Sequence, residues 1–218
     1  MRKLFKKNEP TSAFTHLLAT VLSIVALTLM VAFAVKYSDP AHVVGFAIFG
    51  ASLIILYSTS SLYHFLPKKT RIKKIFQRLD YSMIFVLIAG TYTPITLTMP
   101  QRVWGWTLFG IIWGLAIIGI MLKIFNIKIK EWLSVSIYLI MGWLLFIALN
   151  PLLQWLVPGA FKWLLVGGLF YTVGCVFFML DKFVPRTKWF GMHEVFHLFV
   201  MAGSISHFWL MFKYILWI

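Results

Sequence analysis

Seven long apolar runs, separated by short polar connections, follow one another along the chain. They fall at roughly 15–35, 43–66, 80–99, 103–122, 132–149, 161–181 and 192–217, each near the ~20 residues that ~30 Å of hydrocarbon requires of a helix. No polar stretch long enough to fold separately interrupts them. The expected architecture is therefore all-α, a seven-transmembrane helix bundle forming a single domain over residues 1–218.

Two stretches modify the pattern. Basic Met1–Lys7 followed by apolar Leu17–Val31 and Ala32-Phe33-Ala34 has the outline of a signal peptide, but the apolar run exceeds the usual ~7–15 residues and Glu9 and His16 precede it, so it is read as a retained helix. Gly90-Thr91-Tyr92-Thr93-Pro94 interrupts the third run. Proline frees a carbonyl that threonine hydroxyls can satisfy, so a kinked but continuous helix is expected. Trp104, Trp106, Trp132, Trp155, Trp163, Trp189 and Trp217 fall mostly near span ends, as an interfacial belt does.

Composition agrees with the pattern: 61% of residues are hydrophobic, 12% charged, and the mean hydropathy is +0.89. A formal charge of +14 would suggest nucleic acid as partner in a soluble protein. Here the basic residues sit in the connections, which is the signature of membrane orientation and argues against nucleic-acid binding. Arg2 to Lys7, Lys68 to Arg78, Lys123 to Lys130 and Lys182 to Lys188 hold most of them, leaving Lys36, Arg102, Lys162 and Lys213 on the other side. The bias predicts a cytoplasmic N-terminus, an extracellular C-terminus and a multi-pass place in a cell membrane. The single Cys175 excludes a disulfide framework and a cysteine-based metal site.

The chemistry is concentrated at one depth. His64 ends the second span, Asp80 starts the third, His193, Glu194 and His197 start the seventh, and Glu9 and His16 start the first. Ionisable groups in a membrane are costly enough that such convergence is a functional hypothesis. His193 and His197, one helical turn apart, can offer nitrogens to one ion, with His64 as third ligand; three protein ligands plus solvent is the arrangement of catalytic zinc. Asp80 would then act as acid or base or hold a ligand histidine, and Ser60, a turn before His64, would hydrogen-bond water or a substrate carbonyl. The bland alternative has the histidines facing the bundle and bonding backbone groups, with Asp80 reaching water among the loop lysines. His193-Glu194-x-x-His197 also spells the zincin pattern, with Glu194 as general base and Asp80 as a possible third ligand. His207 lies about 20 Å deeper than His193 on nearly the same face, a hydrogen-bonded core histidine or a cavity-lining one, and His42 reads as a loop residue.

Glu9 with Thr15-His16-Leu17, Ser60-Ser61-Leu62-Tyr63-His64, Leu79-Asp80-Tyr81-Ser82, Ala89 to Pro94, and His193 to His197 with Ala202-Gly203-Ser204 together resemble the bacterial hemolysin III family, relatives of the progestin and adipoQ receptors. The resemblance implies seven helices with the N-terminus inside and a zinc held by His64, His193 and His197 beside Ser60 and Asp80. Those relatives in turn resemble alkaline ceramidases, which implies amide hydrolysis on a lipid. One departure is Ser12, where the family's first motif usually has asparagine.

Three functions compete at this point. The first is a zinc-dependent lipid amidase or esterase, or a lipid sensor on the same scaffold, influencing membrane lipid homeostasis with membrane lipids as partners and no obligatory protein partner. The second is a cytolytic pore-former. It has the difficulty that the chain offers no soluble fold to hide its spans while crossing water. The third is an intramembrane metalloprotease using Glu194.

Overall fold

The computed structural model describes residues 9–127, 129–185, 187 and 190–218, so Arg2, Lys3, Lys6, Lys7, Lys128, Arg186, Lys188 and Trp189 of the charge and aromatic patterns lie outside the described residues. Seven helices are long and apolar enough to cross a membrane: α1 (Pro10–Tyr37), α2 (Pro40–Phe65), α3 (Arg71–Thr98), α4 (Arg102–Ile124), α5 (Glu131–Trp155), α6 (Pro158–Leu180) and α7 (Met192–Trp217, its last turn 3₁₀). The protein is an all-helical, multi-pass membrane protein. Leucine, isoleucine, valine and aromatic side chains cover its outward faces, as lipid permits and water would not.

Short connections make α1–α2, α2–α3, α3–α4 and α6–α7 antiparallel neighbours that pack along their length, and α1 closes against α7. The α2–α3 contact is close because glycines face it. A Cβ on Gly45 would lie 2.8 Å from Pro94 Cα, so the α2 backbone rests directly on the proline of α3. Helix α3 runs unbroken through Pro94, with Thr93 Oγ1 donating to the Ala89 carbonyl at 2.8 Å and Thr98 Oγ1 to the Pro94 carbonyl at 2.7 Å. The expected continuity is observed.

Two boundaries differ from the hydropathic ones for local reasons. Helix α3 begins at Arg71 rather than near Asp80, because Thr70 caps it by accepting the Lys73 N–H at 3.1 Å and the next two turns are helical although basic. Asp80 is consequently well inside a helix. His42 is no loop residue. Asp39 caps α2 by accepting from Ala41 N at 2.8 Å and His42 N at 3.1 Å, Pro40 takes the first helical position, and His42 is buried in the first turn.

Helix α5 is irregular. Pro151 cannot donate to the Ile147 carbonyl, and Leu144–Ala148 adopt a 3₁₀ turn between the helical pieces Glu131–Trp143 and Leu149–Trp155. Tyr92 of α3 bridges the break: its hydroxyl donates toward the carbonyls of Met141 (2.7 Å) and Gly142 (3.0 Å) and accepts the Leu145 N–H at 2.8 Å. Apart from this bridge α5 touches its neighbours sparsely, and a cavity lies behind it.

Candidate metal centre and its cavity

Two helices bring His64, His193 and His197 together. His64 sits one residue before the end of α2, and the two others lie one turn apart in the first turns of α7. Their ring centroids form a near-equilateral triangle with sides of 5.0, 4.9 and 4.6 Å. One ligand nitrogen from each lies within 4.8 Å of the others, so the trio could hold a metal ion. His64 Nε2 and His193 Nε2 are 3.2 Å apart. Two nitrogens at about 2.0–2.1 Å from a tetrahedral ion would stand roughly 3.3 Å apart, so this pair fits such an ion.

Surrounding groups fix the ligands. Glu9 Oε2 accepts from His64 Nδ1 at 2.9 Å, which puts the proton on Nδ1 and turns a lone pair at Nε2 toward the cluster. Burial works to raise the Glu9 carboxyl, but the hydrogen bond and charge of His64, with Lys68 and Lys73, outweigh it and hold it well below the usual carboxylate range. Asp181, at the end of α6, accepts the His193 backbone N–H at 3.0 Å and so pins the start of α7. His16 of α1 stacks on His197, centroids 3.6 Å apart and planes 11° from parallel. His197 is buried, and the Ser12 backbone lies within hydrogen-bonding range of its ring, which helps to fix its orientation.

Glu194 stands apart. Its Oε1 accepts from Ser12 Oγ at 2.7 Å and its Oε2 from the Gly191 N–H at 2.7 Å, and the residue is buried. The carboxylate thus closes the first turn of α7 and fastens it to α1. Ser12, the position where the family motif usually differs, is the donor.

Ser60, Asp80, His193 and His197 line a cavity of about 300 Å³ whose wall is drawn mainly from α3, α5, α6 and α7, with Leu56 and Ser60 of α2. Ser60 is placed to hydrogen-bond the Asp80 carboxyl, and His64 and Lys73 lie within electrostatic range. Asp80 is half-buried, its open side turned to the cavity. Four of the five residues put forward for the site therefore line one chamber, and the fifth, His64, meets His193 beside it. The rest of the wall is mostly apolar: Ile84, Ile88, Val135, Leu139, Leu164 and Val200 are typical. Lys123 and Glu131 stand where α4 connects to α5, Lys123 donating to Ser134 Oγ at 2.7 Å and Glu131 pairing with Lys182 at 2.7 Å.

Sequence reasoning missed Glu9 as the partner of His64, the Ser12–Glu194 link, Asp181, and the stacking role of His16. For Glu9 and Asp181 a signal existed, since both are acids placed at helix ends close in depth to histidines. For Ser12 none did.

Seven apolar helices enclosing a histidine cluster, an aspartate and a largely apolar chamber define an integral membrane protein with a candidate metal centre within its spans. The chain belongs to the haemolysin-III related family, which matches over residues 5–208. It is 41% identical over 212 residues to Hemolysin-3 of Bacillus cereus, covering 97% of this chain and 94% of that one. It is likewise 41% identical over 202 residues to the Hemolysin-3 homolog of Bacillus subtilis (strain 168), covering 93% and 92%. A more distant relative is the monocyte to macrophage differentiation factor of Homo sapiens, 26% identical over 173 residues, covering 77% of this chain and 69% of that one.

Proposed function

We propose that this protein is a zinc-dependent hydrolase that cleaves an acyl amide or ester of a membrane lipid and so influences membrane lipid composition. The observation that carries the reading is the meeting of three imidazoles with Ser60 and Asp80 on the wall of a largely apolar, bilayer-embedded cavity. When bound, zinc on three imidazoles supplies a Lewis acid and a water acidified to near neutrality.

The residues of the chain do the remainder. His64, oriented by Glu9, and His193, anchored through Asp181, hold two of the nitrogens in place, and the His16 ring keeps His197 from rotating. Asp80, oriented by Ser60, accepts the proton of the attacking water and returns it to the departing amine or alcohol. The apolar wall takes the acyl chain and excludes bulk water. The positive-inside bias supports a cytoplasmic N-terminus, which sets the histidine cluster toward the cytoplasmic leaflet. We assign the whole chain to one seven-helix domain.

Purified protein should contain about one zinc per chain, lost in His64→Ala, His193→Ala or His197→Ala, and should release fatty acid from ceramide or phospholipid. A zinc-free preparation, or metal content unaffected by those substitutions, overturns the site. Zinc retained without turnover of any lipid tested leaves a sensor on the same scaffold. The names of the Bacillus relatives favour a second reading, direct lysis. Dye leakage from liposomes bearing the pure protein, undiminished by loss of the histidines, would establish it instead.

A further inference from the structure

The cavity has a second polar locus that the hydrolytic site does not use. His207 of α7 lines it about 15 Å along the helix axis from His197, at 1.5 Å per residue. Met192 opens the helix about 22 Å before His207, so the ring lies in the middle of a ~30 Å hydrocarbon core, far from either headgroup layer.

This ring is built into place rather than left over. It rests on Gly167 of α6, where a Cβ would come 2.5 Å from Nε2, and lies nearly parallel to Tyr171, centroids 5.6 Å apart and planes at 20°. Beside it Tyr171 and Tyr57 both hydrogen-bond Ser204 Oγ, at 2.9 and 2.6 Å, and Tyr57 also reaches the Val200 carbonyl at 3.3 Å. Those three hydroxyls satisfy one another. His207 takes no part: its Nδ1 is buried with no partner, and only 4% of the residue is exposed. A buried polar nitrogen without a partner is rare, because the water it gives up on burial is then not replaced.

We infer that His207 and the adjoining Tyr171 form a tail-recognition subsite that takes an oxygen carried within the acyl chain, a hydroxyl being the best match. The inference rests on the reading that the cavity receives a lipid chain and names which chain it prefers. A headgroup does not belong at this depth, so the partner must ride on the tail. No Lys or Arg faces this end of the cavity among the described residues, so an anion is not the ligand. A neutral imidazole offers one donor and one acceptor, and a hydroxyl is the smallest group that answers either.

Oleate and ricinoleate, which differ chiefly by one mid-chain hydroxyl, test this by binding to the full chain in lipid nanodiscs. Ricinoleate should bind about 5–10-fold more tightly, the worth of one buried hydrogen bond. His207→Phe, which keeps a flat ring over Gly167, should remove the preference while oleate affinity stays within about twofold. Should that variant fail to fold, Gly167→Ala displaces the ring without deleting its nitrogens and should cut the preference too. Equal affinities in the wild type, failure of both acids to bind, or a preference surviving both substitutions overturns the subsite. The readout is independent of turnover: His64→Ala should keep the preference, so an absent hydrolase activity with a His207-dependent preference retires the enzymatic reading and leaves the subsite standing.

Discussion

Ser12 in α1 donates its hydroxyl to Glu194 in α7 at 2.7 Å, a bond between helices at opposite ends of the chain. The other oxygen of Glu194 caps the Gly191 N–H, so the glutamate of the His-Glu-x-x-His string closes a helix turn and locks α7 to α1. Ser12→Ala would leave a buried carboxylate oxygen short of its donor and should destabilise the protein by about 1–3 kcal/mol in thermal unfolding, with metal content retained. Glu194→Gln should also keep its zinc and its turnover. Turnover abolished with zinc and stability intact would restore Glu194 as a general base and revive the protease reading.

Glu9 acts on the metal through His64. Its carboxylate holds the Nδ1 proton and, in doing so, the direction of the Nε2 lone pair. Glu9→Gln should weaken zinc binding by about 10–100-fold, the usual cost of losing such an outer partner, as measured by chelator competition. An unchanged affinity would mean that packing alone orients His64.

Asp80 and Ser60 should separate chemistry from metal binding. Asp80→Asn is expected to keep one zinc while lowering kcat about 10²–10⁴-fold, the range for loss of a positioned acid–base group, and Ser60→Ala should lower it less. Loss of zinc in Asp80→Asn would make Asp80 a ligand or ligand support instead.

The ladder of apolar runs made the seven spans legible, since length and hydropathy depend on the bilayer and little on neighbouring helices. The histidine trio was legible too, because its members fall at matching depths of separate runs. What the sequence concealed follows from capping and contact. Thr70 extends α3 through two basic turns that hydropathy assigns to a loop, and Asp39-Pro40 draws His42 into a helix. Asp39-Pro40 is a readable start signal that the charge pattern overshadowed. The Ser12–Glu194 bond spans almost the entire chain, and no local pattern announces it. His207 reads from the sequence as either a hydrogen-bonded core residue or a cavity wall; it lines the wall, and the neighbouring Ser206 hydroxyl donates to the Ala202 carbonyl.

Tyr92 should govern the broken helix α5. Its hydroxyl serves carbonyls just before the 3₁₀ turn and the Leu145 N–H within it, in a span that is otherwise sparsely packed. Tyr92→Phe would take the hydroxyl acceptor from the Leu145 N–H and a donor from the Met141 and Gly142 carbonyls, of which Met141 keeps the Leu144 N–H. We expect a loss of about 1–3 kcal/mol and faster amide exchange confined to Leu144–Ala148 and the adjoining turns. Exchange unchanged there would show that the turn is held by Pro151 alone.

Asp39, on the connection between α1 and α2, ties helix initiation to pH. The hydrogen bond from the His42 ring is the largest influence on its carboxyl; with the Ala41 and His42 N–H groups it holds the group below its ordinary value, against a smaller opposing effect of burial. A carboxyl that is more acidic folded than unfolded stabilises the fold above its unfolded pKa, and the benefit fades as pH falls through the folded one. Wild type should therefore exceed Asp39→Ala by about 0.5–1 kcal/mol at pH ~7, at the lower end for a cap whose side chain is half exposed. In the acid range below pH ~4 the difference should shrink. His42 Nε2 meanwhile faces the Ile215 carbonyl at 3.1 Å, so the same cap fastens the end of α7. Melting curves of the two proteins that stay a constant distance apart down to pH ~2 would place the contribution of Asp39 in its shape rather than its charge.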